Sequence, residues 1–352
     1  MFHLTKEGIP YGTIILGSRA TWLDRHAAEE LRSYVKKLSG ATLLITHERY
    51  ASSIEGGRIL IGRASTSDIV GTFAAHYPGV LPEESDTEND CVAYAVRGDT
   101  LVISGSNDRS VYYSVCHLLQ TEFGVGFYWD RDVFEKKRSL SLPDGLTLQE
   151  RSEFKMRHTI GQWVYNYGAF LNEAERREEL DKYARNKINS YRLYSWNSYA
   201  RKKTFIELGL TGIEITAEDI ARRDMVRDSI EYAQSLGMEV MVPLIPDETT
   251  LEFRALYPNA RYFGCEWVKD DNAAPQTIPC LYPEDPMYKT FIQTFVKVWI
   301  EAYGPTSNFV CCPPAEHHIS TGVEDFININ INYSKYTYEA LHELIPSARL
   351  FY

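Results

Sequence analysis

The chain has 352 residues, of which 44 % are hydrophobic and 24 % charged, an ordinary globular composition that excludes disorder and low-complexity architecture. With 37 basic and 48 acidic residues the net charge is −11, which argues against nucleic acid and anionic membrane surfaces, since both are bound through Lys and Arg. A neutral ligand fits this balance, and no cofactor is expected. The 24 tyrosines and 6 tryptophans combine flat apolar faces with polar tips, which suits sugar rings, though most of them are expected to fill core and surface.

At about 100–200 residues per domain, two domains are expected. In the first region Tyr11–Leu16 reads as a strand, and Trp22, Ala27, Leu31, Tyr34 and Leu38 recur at helical spacing. Ala41–Thr46 and Arg58–Ile61 are short β-rich runs. Val92–Val96 and Thr100–Ser104 alternate across Arg97-Gly98-Asp99, a hairpin signal. Asn107 is placed to cap a helix from Asp108 to Phe123, which Gly124 stops. Val125–Trp129 is a further strand candidate, and the polar stretch 130–150 reads as a linker.

Beyond it the rhythm changes to strands alternating with long helices. Strands are expected at Arg157–Gly161, Asn189–Trp196, Met238–Ile245, Ser307–Cys312 and Ala348–Tyr352. Helices are expected at Glu173–Lys187, Asp219–Leu236, Pro286–Tyr303 and Tyr333–Leu344. This alternation is the signature of a parallel sheet. No GxGxxG follows any strand, so a dinucleotide fold is unsupported. The expected class is α/β: a small α+β domain over residues 1–150, then, over 151–352, the N-terminal part of a (β/α)8-type barrel that is cut after about its fourth β/α unit.

In such a barrel the chemistry sits just past the C-terminal strand ends. Gln162, Trp163 and Tyr165 follow the first strand, and Trp196 and Asn197 the second. Asp247 and Glu248 follow the third, and Glu316 and His317 the fourth. Aromatic faces stack on sugars, while amides and carboxylates bond hydroxyls. Glu316 follows the stiff Pro313-Pro314 pair; a partly desolvated glutamate there can act as a general acid, whereas a solvated loop carboxylate is the plainer reading. His317 and His318 are adjacent and cannot both face one metal, and no HExxH helix is present, so no metal is expected. Asp285 before Pro286 reads as a helix cap. The six cysteines form no CxxC pair and read as buried free thiols, although Cys311 or Cys312 with His317 could be drawn as a nucleophile pair. Met1–Pro10 shows no signal peptide, which suggests a cytoplasmic location; Met287–Tyr303 is too charged to span a membrane. The oligomeric state is left open.

Several short stretches resemble the α-N-acetylglucosaminidase family of glycoside hydrolases. They include Arg157-His158-Thr159, Glu207-Leu208-Gly209-Leu210, Leu236–Pro243, Leu256-Tyr257-Pro258, Leu281–Pro286 and Tyr303-Gly304. The first region is similar to the small domain that precedes the barrels of α-glucuronidases and α-N-acetylglucosaminidases, through Ala28–Leu31, Leu60-Ile61-Gly62, Ser110–Tyr113 and Phe123–Val125. The resemblance implies a retaining glycoside hydrolase acting on a carbohydrate substrate. It implies Glu316 as acid/base and a nucleophile on a later strand than this chain holds; Gln162, Trp163, Tyr165, Trp196, Asn197 and His317 are expected around the sugar from their places past the strand ends. Ala315 stands where the family has Asn, and Tyr282 where it has Asp. A non-catalytic carbohydrate-binding protein with a degenerate barrel, and a metal-dependent hydrolase using His317 or His318, are the alternatives.

Overall fold

The computed structural model describes residues 1–158, 172–193, 198–244, 248–267, 276–311, 318–319 and 323–351. The chain divides into two compact units. Met1–His158, Arg177–Ser190 and Tyr232–Met238 form the first; Thr159–Arg176, Tyr191–Glu231 and Glu239–Tyr352 form the second.

The N-terminal region begins with β1 (Phe2–Lys6), β2 (Ile9–Pro10), β3 (Gly12–Leu16) and α1 (Trp22–Ser39). After β4 (Leu44–His47) and a short 3-10 helix come β5 (Gly57–Ile61), α2 (Asp68–His76), β6 (Cys91–Arg97), β7 (Thr100–Gly105) and α3 (Asp108–Thr121). Four short strands follow, β8 (Gly126–Phe127), β9 (Asp132–Val133), β10 (Leu140–Leu142) and β11 (Thr147–Arg151). The remaining elements are α4 (Glu173–Arg185), β12 (Ser190–Arg192), α5 (Ser198–Glu207), α6 (Ala217–Ser235), β13 (Glu239–Leu244) and α7 (Leu251–Leu256). They end with β14 (Tyr262–Trp267), β15 (Gln276–Leu281), α8 (Pro286–Tyr303), β16 (Asn308–Cys311), β17 (His318–Ile319), α9 (Val323–Leu344) and β18 (Arg349–Phe351).

Six strands of the first unit form a sheet in the order β11-β6-β7-β5-β3-β4. Strands β7, β5, β3 and β4 are parallel, β6 pairs antiparallel with β7, and β11 pairs antiparallel with β6 at the edge. Alternation divides its side chains between two faces. Ile15, Leu60, Ala95 and Val102 pack with Val70 and Phe73 of α2. Tyr94 points the other way and donates to Glu122 at the end of α3 (2.8 Å). Local chemistry starts each helix. Thr21 and Asp24 form a capping box on α1, Asn107 and Ser110 one on α3, and each cap stabilises its helix by about 1 kcal/mol. The β6–β7 hairpin turns through Gly98 and Asp99, with Gly98 at φ 59°, as a two-residue turn with glycine first requires.

The stretch read as a linker is instead built into the sheets. β10 pairs antiparallel with β1, and β11 pairs with β6 from Thr147↔Ala95 to Arg151↔Cys91. An exposed edge strand such as β11 gains backbone hydrogen bonds without a buried face, so it carries no apolar alternation to announce it. Helix α9 likewise starts at Val323 rather than Tyr333, because Ile327-Asn328-Ile329-Asn330-Ile331-Asn332 alternates in sequence yet lies on a helix.

In the second unit a sheet runs β12-β13-β16-β18. β13 and β16 are parallel from Val242↔Phe309 to Leu244↔Cys311, and β16 and β18 from Asn308↔Arg349 to Val310↔Phe351. The Leu193 N–H donates to the Met241 carbonyl (3.0 Å) on the β12 side. Neighbours in the sheet are thus neighbours in strand sequence, the order of a (β/α) repeat. Outside the sheet, Phe205, Phe253 and Phe291 of α5, α7 and α8 meet at centroid distances of 5.6–5.8 Å. The expected α/β class stands.

The first unit is fastened by one buried carboxylate. Asp90, whose side chain is 2 % exposed, accepts from Arg109 Nε (2.9 Å), Arg157 Nη2 (2.5 Å), Asn107 Nδ2 (2.8 Å) and Asn189 Nδ2 (3.1 Å). Arg157 also donates to the Lys187 carbonyl (2.7 Å), and Arg109 to the Gly237 carbonyl (3.1 Å). Gly237 sits at φ 76°, and a Cβ there would lie 2.8 Å from Arg109 Cβ, so only glycine fits.

Burial by itself would raise the Asp90 pKa, but the two guanidinium groups and the amide of Asn107 outweigh it and hold the group below its ordinary value. The stabilisation is therefore complete above the unfolded value of about 3.9 and is lost as pH falls through the lower folded pKa. Asp90→Asn leaves two guanidiniums without their anion and is expected to cost about 3–5 kcal/mol in denaturant unfolding at neutral pH. The gap between wild type and variant should close as the pH of the titration is taken below that folded pKa; a gap independent of pH would refute the assignment.

Candidate active site

The C-terminal ends of β12, β13, β16 and β18 are the edge at which a parallel (β/α) sheet presents its loops. Among the described residues these ends are Arg192, Leu244, Cys311 and Phe351. The loops beyond two of them are tied together by an antiparallel layer. Between β13 and α8 the chain makes the hairpin β14–β15, paired from Tyr262↔Leu281 to Trp267↔Gln276. After β16 the chain returns as β17, which adds to the hairpin with His318 in register with Glu266 and Ile319 with Cys265. The segment 312–317 therefore joins the parallel sheet at Cys311 to the antiparallel layer at His318.

Side chains brace this layer from below. Phe263, Cys280 and Ile329 form a buried cluster with Ile278 and Tyr282, which packs the hairpin on α9. Glu284, just before α8, accepts from Asn332 Nδ2 of α9 through one oxygen, and its other oxygen is buried. Tyr288 and Thr337 share a hydrogen bond of 2.6 Å. On the other side, Thr249 donates through both backbone N–H (3.0 Å) and hydroxyl (2.6 Å) to the Pro279 carbonyl. Glu248 bridges antiparallel to Cys280, and its half-buried carboxylate lies 3.6 Å from Arg201 Nη1 of α5.

Asp285 is a cap, as its sequence context indicates. Oδ1 accepts from the Met287 N–H and Oδ2 from the Arg261 N–H, both at 2.8 Å. Cys311 is buried on β16 with its sulfur 4.0 Å from Thr337 Oγ1, an inert core position. Cys91, Cys116 and Cys280 are buried free thiols too, and burial pushes the Cys91 and Cys116 thiols above their ordinary range. Among the described residues no group of three His, Cys, Asp or Glu side chains is placed to hold a metal, and no helix is long and apolar enough to cross a membrane.

Gln162, Trp163 and Tyr165 lie in 159–171, Trp196 and Asn197 in 194–197, Asp247 in 245–247, and Glu316 and His317 in 312–317, all outside the described residues. Of the residues past the strand ends, Glu248 is described, and it packs against Arg201. The sequence reading overlooked the β14–β15 hairpin. The signal was present, since Tyr262–Trp267 and Thr277–Leu281 are β-rich runs of strand length.

No family model matches the chain, and no curated protein matches it. Solved structures do. Over 95 % of its length the chain is similar to the family 89 glycoside hydrolase from Clostridium perfringens in complex with 2-acetamido-1,2-dideoxynojirmycin, at 14 % identity and a TM-score of 0.66, covering 37 % of that chain. A variant of that enzyme in complex with its substrate GlcNAc-α-1,4-galactose gives the same 14 % identity and TM-score of 0.66. A Streptomyces plicatus β-hexosaminidase in complex with the product GlcNAc is similar over 99 % of this chain and 62 % of its own, at 15 % identity and a TM-score of 0.56. The chain spans less than two thirds of the length of each of these proteins. It shares the fold of these solved structures over nearly all of its length.

The burial of the four described thiols has a direct readout. In the native protein at neutral pH a thiol reagent should leave Cys91, Cys116, Cys280 and Cys311 unmodified, and peptide mass spectrometry should find all four modified once denaturant is added. Rapid native labelling of Cys311 would contradict its place in the core.

Proposed function

We propose that the chain forms part of a retaining glycoside hydrolase of the α-N-acetylglucosaminidase type. Residues 1–150 are an accessory domain, and 151–352 the N-terminal part of a barrel-type catalytic domain. Glu316 is the general acid/base, protonating the glycosidic oxygen and later activating water. Gln162, Trp163, Tyr165, Trp196, Asn197 and His317 line the sugar cleft. The observation that carries this reading is the parallel β13-β16-β18 order, which makes the Glu316 segment the loop after a strand of a (β/α) repeat, in a chain with a glycoside hydrolase fold. Its first end is Cys311 on that strand and its second is His318, paired to the β14 strand, so the segment is anchored at both ends. The likeness to an enzyme bound to GlcNAc-α-1,4-galactose favours a terminal α-linked N-acetylglucosamine as the substrate class. A retaining enzyme needs a second carboxylate about 5–5.5 Å from the acid, and the resemblance assigns that nucleophile to a later strand.

The test is Glu316→Gln in the full protein that carries this chain. Loss of an acid/base lowers turnover by about 10²–10⁴-fold. The loss should be large on GlcNAc-α-1,4-galactose and small on an aryl glycoside, whose leaving group departs without protonation, and azide should restore part of the rate. Turnover of the unactivated glycoside close to that of wild type would reduce Glu316 to a loop carboxylate.

A further inference from the structure

The first unit contains a groove of about 310 Å³ between the first turns of α1 and α3 and the last turn of α6. That is the lower end of the range for small-molecule sites, about 300–1,000 Å³. Trp22, Asp86, Asp108, Arg109, Gln234 and Ser235 are among its walls. None of them belongs to the cleft proposed above.

Trp22 is the informative residue. A tryptophan is costly to leave in water, yet this one is 45 % exposed. One ring face is covered by His26, stacked at a centroid distance of 4.7 Å and 13°. His26 is in turn backed by Tyr112 at 5.0 Å. Tyr112 is fully buried and donates its hydroxyl to Glu30 (3.3 Å). Burial keeps His26 on the neutral side, which suits a ring held between two others. The indole is thus held by His26 on one face while it lines the groove and stays partly exposed, and such preorganisation lowers the cost of binding.

Two of the charges around it are paired within the fold. Asp108 pairs with Arg63, and Arg109 with Asp90. The carboxylates of Asp86 and Asp108 disfavour an anion, and their oxygens are acceptors suited to hydroxyl donors. An exposed aromatic face ringed by carboxylate and amide groups is the chemistry that recognises a ring bearing hydroxyls. We propose that this groove binds a neutral saccharide, with one pyranose ring stacked on the open face of Trp22 and its hydroxyls bonded by Asp86, Asp108 and Gln234.

The experiment is fluorine NMR of the full chain labelled with 5-fluorotryptophan, with the Trp22 signal assigned by Trp22→Phe. N-acetylglucosamine, galactose and GlcNAc-α-1,4-galactose are the probes. At least one should shift the Trp22 signal saturably. Asp86→Ala combined with Gln234→Ala should weaken that binding about tenfold or more, as removal of anchoring contacts does, while circular dichroism stays unchanged. Because the readout is local to Trp22, it is independent of whether the Glu316 cleft binds or cleaves sugar. The wild-type titration decides the matter even if a variant fails to fold. A Trp22 signal that none of the three sugars moves overturns the proposal. So does a shift produced at lower concentration by tetramethylammonium or adenosine.

Discussion

The Asp90 carboxylate sits where a charge is expensive, and the first unit is organised around making it tolerable. Desolvating a carboxylate costs several kcal/mol unless its lone pairs are filled by good donors. Here two guanidiniums and two amides fill them. Each donor has a second task. Asn107 caps α3 through its oxygen while its nitrogen serves Asp90. Asn189 accepts from the Arg157 N–H and donates to the Lys155 carbonyl, and it directly precedes β12. Arg109 holds the Gly237 carbonyl, two residues before β13. Segments far apart in sequence are thus registered on one point of the first unit.

A second buried acid follows the same logic with a different balance. Glu30 receives Arg185 Nε at 2.5 Å and the Tyr112 hydroxyl at 3.3 Å, tying α4 to α1 and α3 within the first unit. Asp181 of α4 accepts from the Tyr232 hydroxyl at 2.6 Å, and its burial raises its pKa despite that bond. These groups have a structural role: each spends its hydrogen-bonding capacity on joining helices.

The second unit extends its parallel sheet with a separate antiparallel layer. The chain inserts an antiparallel hairpin between β13 and α8 and returns after β16 to pair with it. Apolar contacts of Phe263, Cys280 and Ile329 seat the hairpin on α9, and the Glu284–Asn332 bond locks the approach to α8. Strand β16 and the β14–β17 pairing fix the described residues Cys311 and His318 on either side of the segment 312–317.

What was legible in the sequence is what local chemistry decides. Helical spacing over Trp22–Leu38, the caps Asn107 and Asp285, and the glycine turn at Gly98 all depend on residues within a few positions of one another, and all are observed. The α/β class followed from the alternation of apolar strands with long helices. Residue types suited to sugar chemistry could be named at Glu316, Trp163 and Trp196, because strand ends can be counted along the chain. Tertiary structure alone decided the rest. β11 is a strand only because β6 supplies its backbone partners, and the isoleucine–asparagine alternation of α9 is helical only because Ile329 and Tyr333 have a core to enter. The four donors on Asp90 lie up to 99 residues away from it in sequence. No local pattern encodes such a meeting, since its free energy arises only when the folded chain has excluded water from the carboxylate.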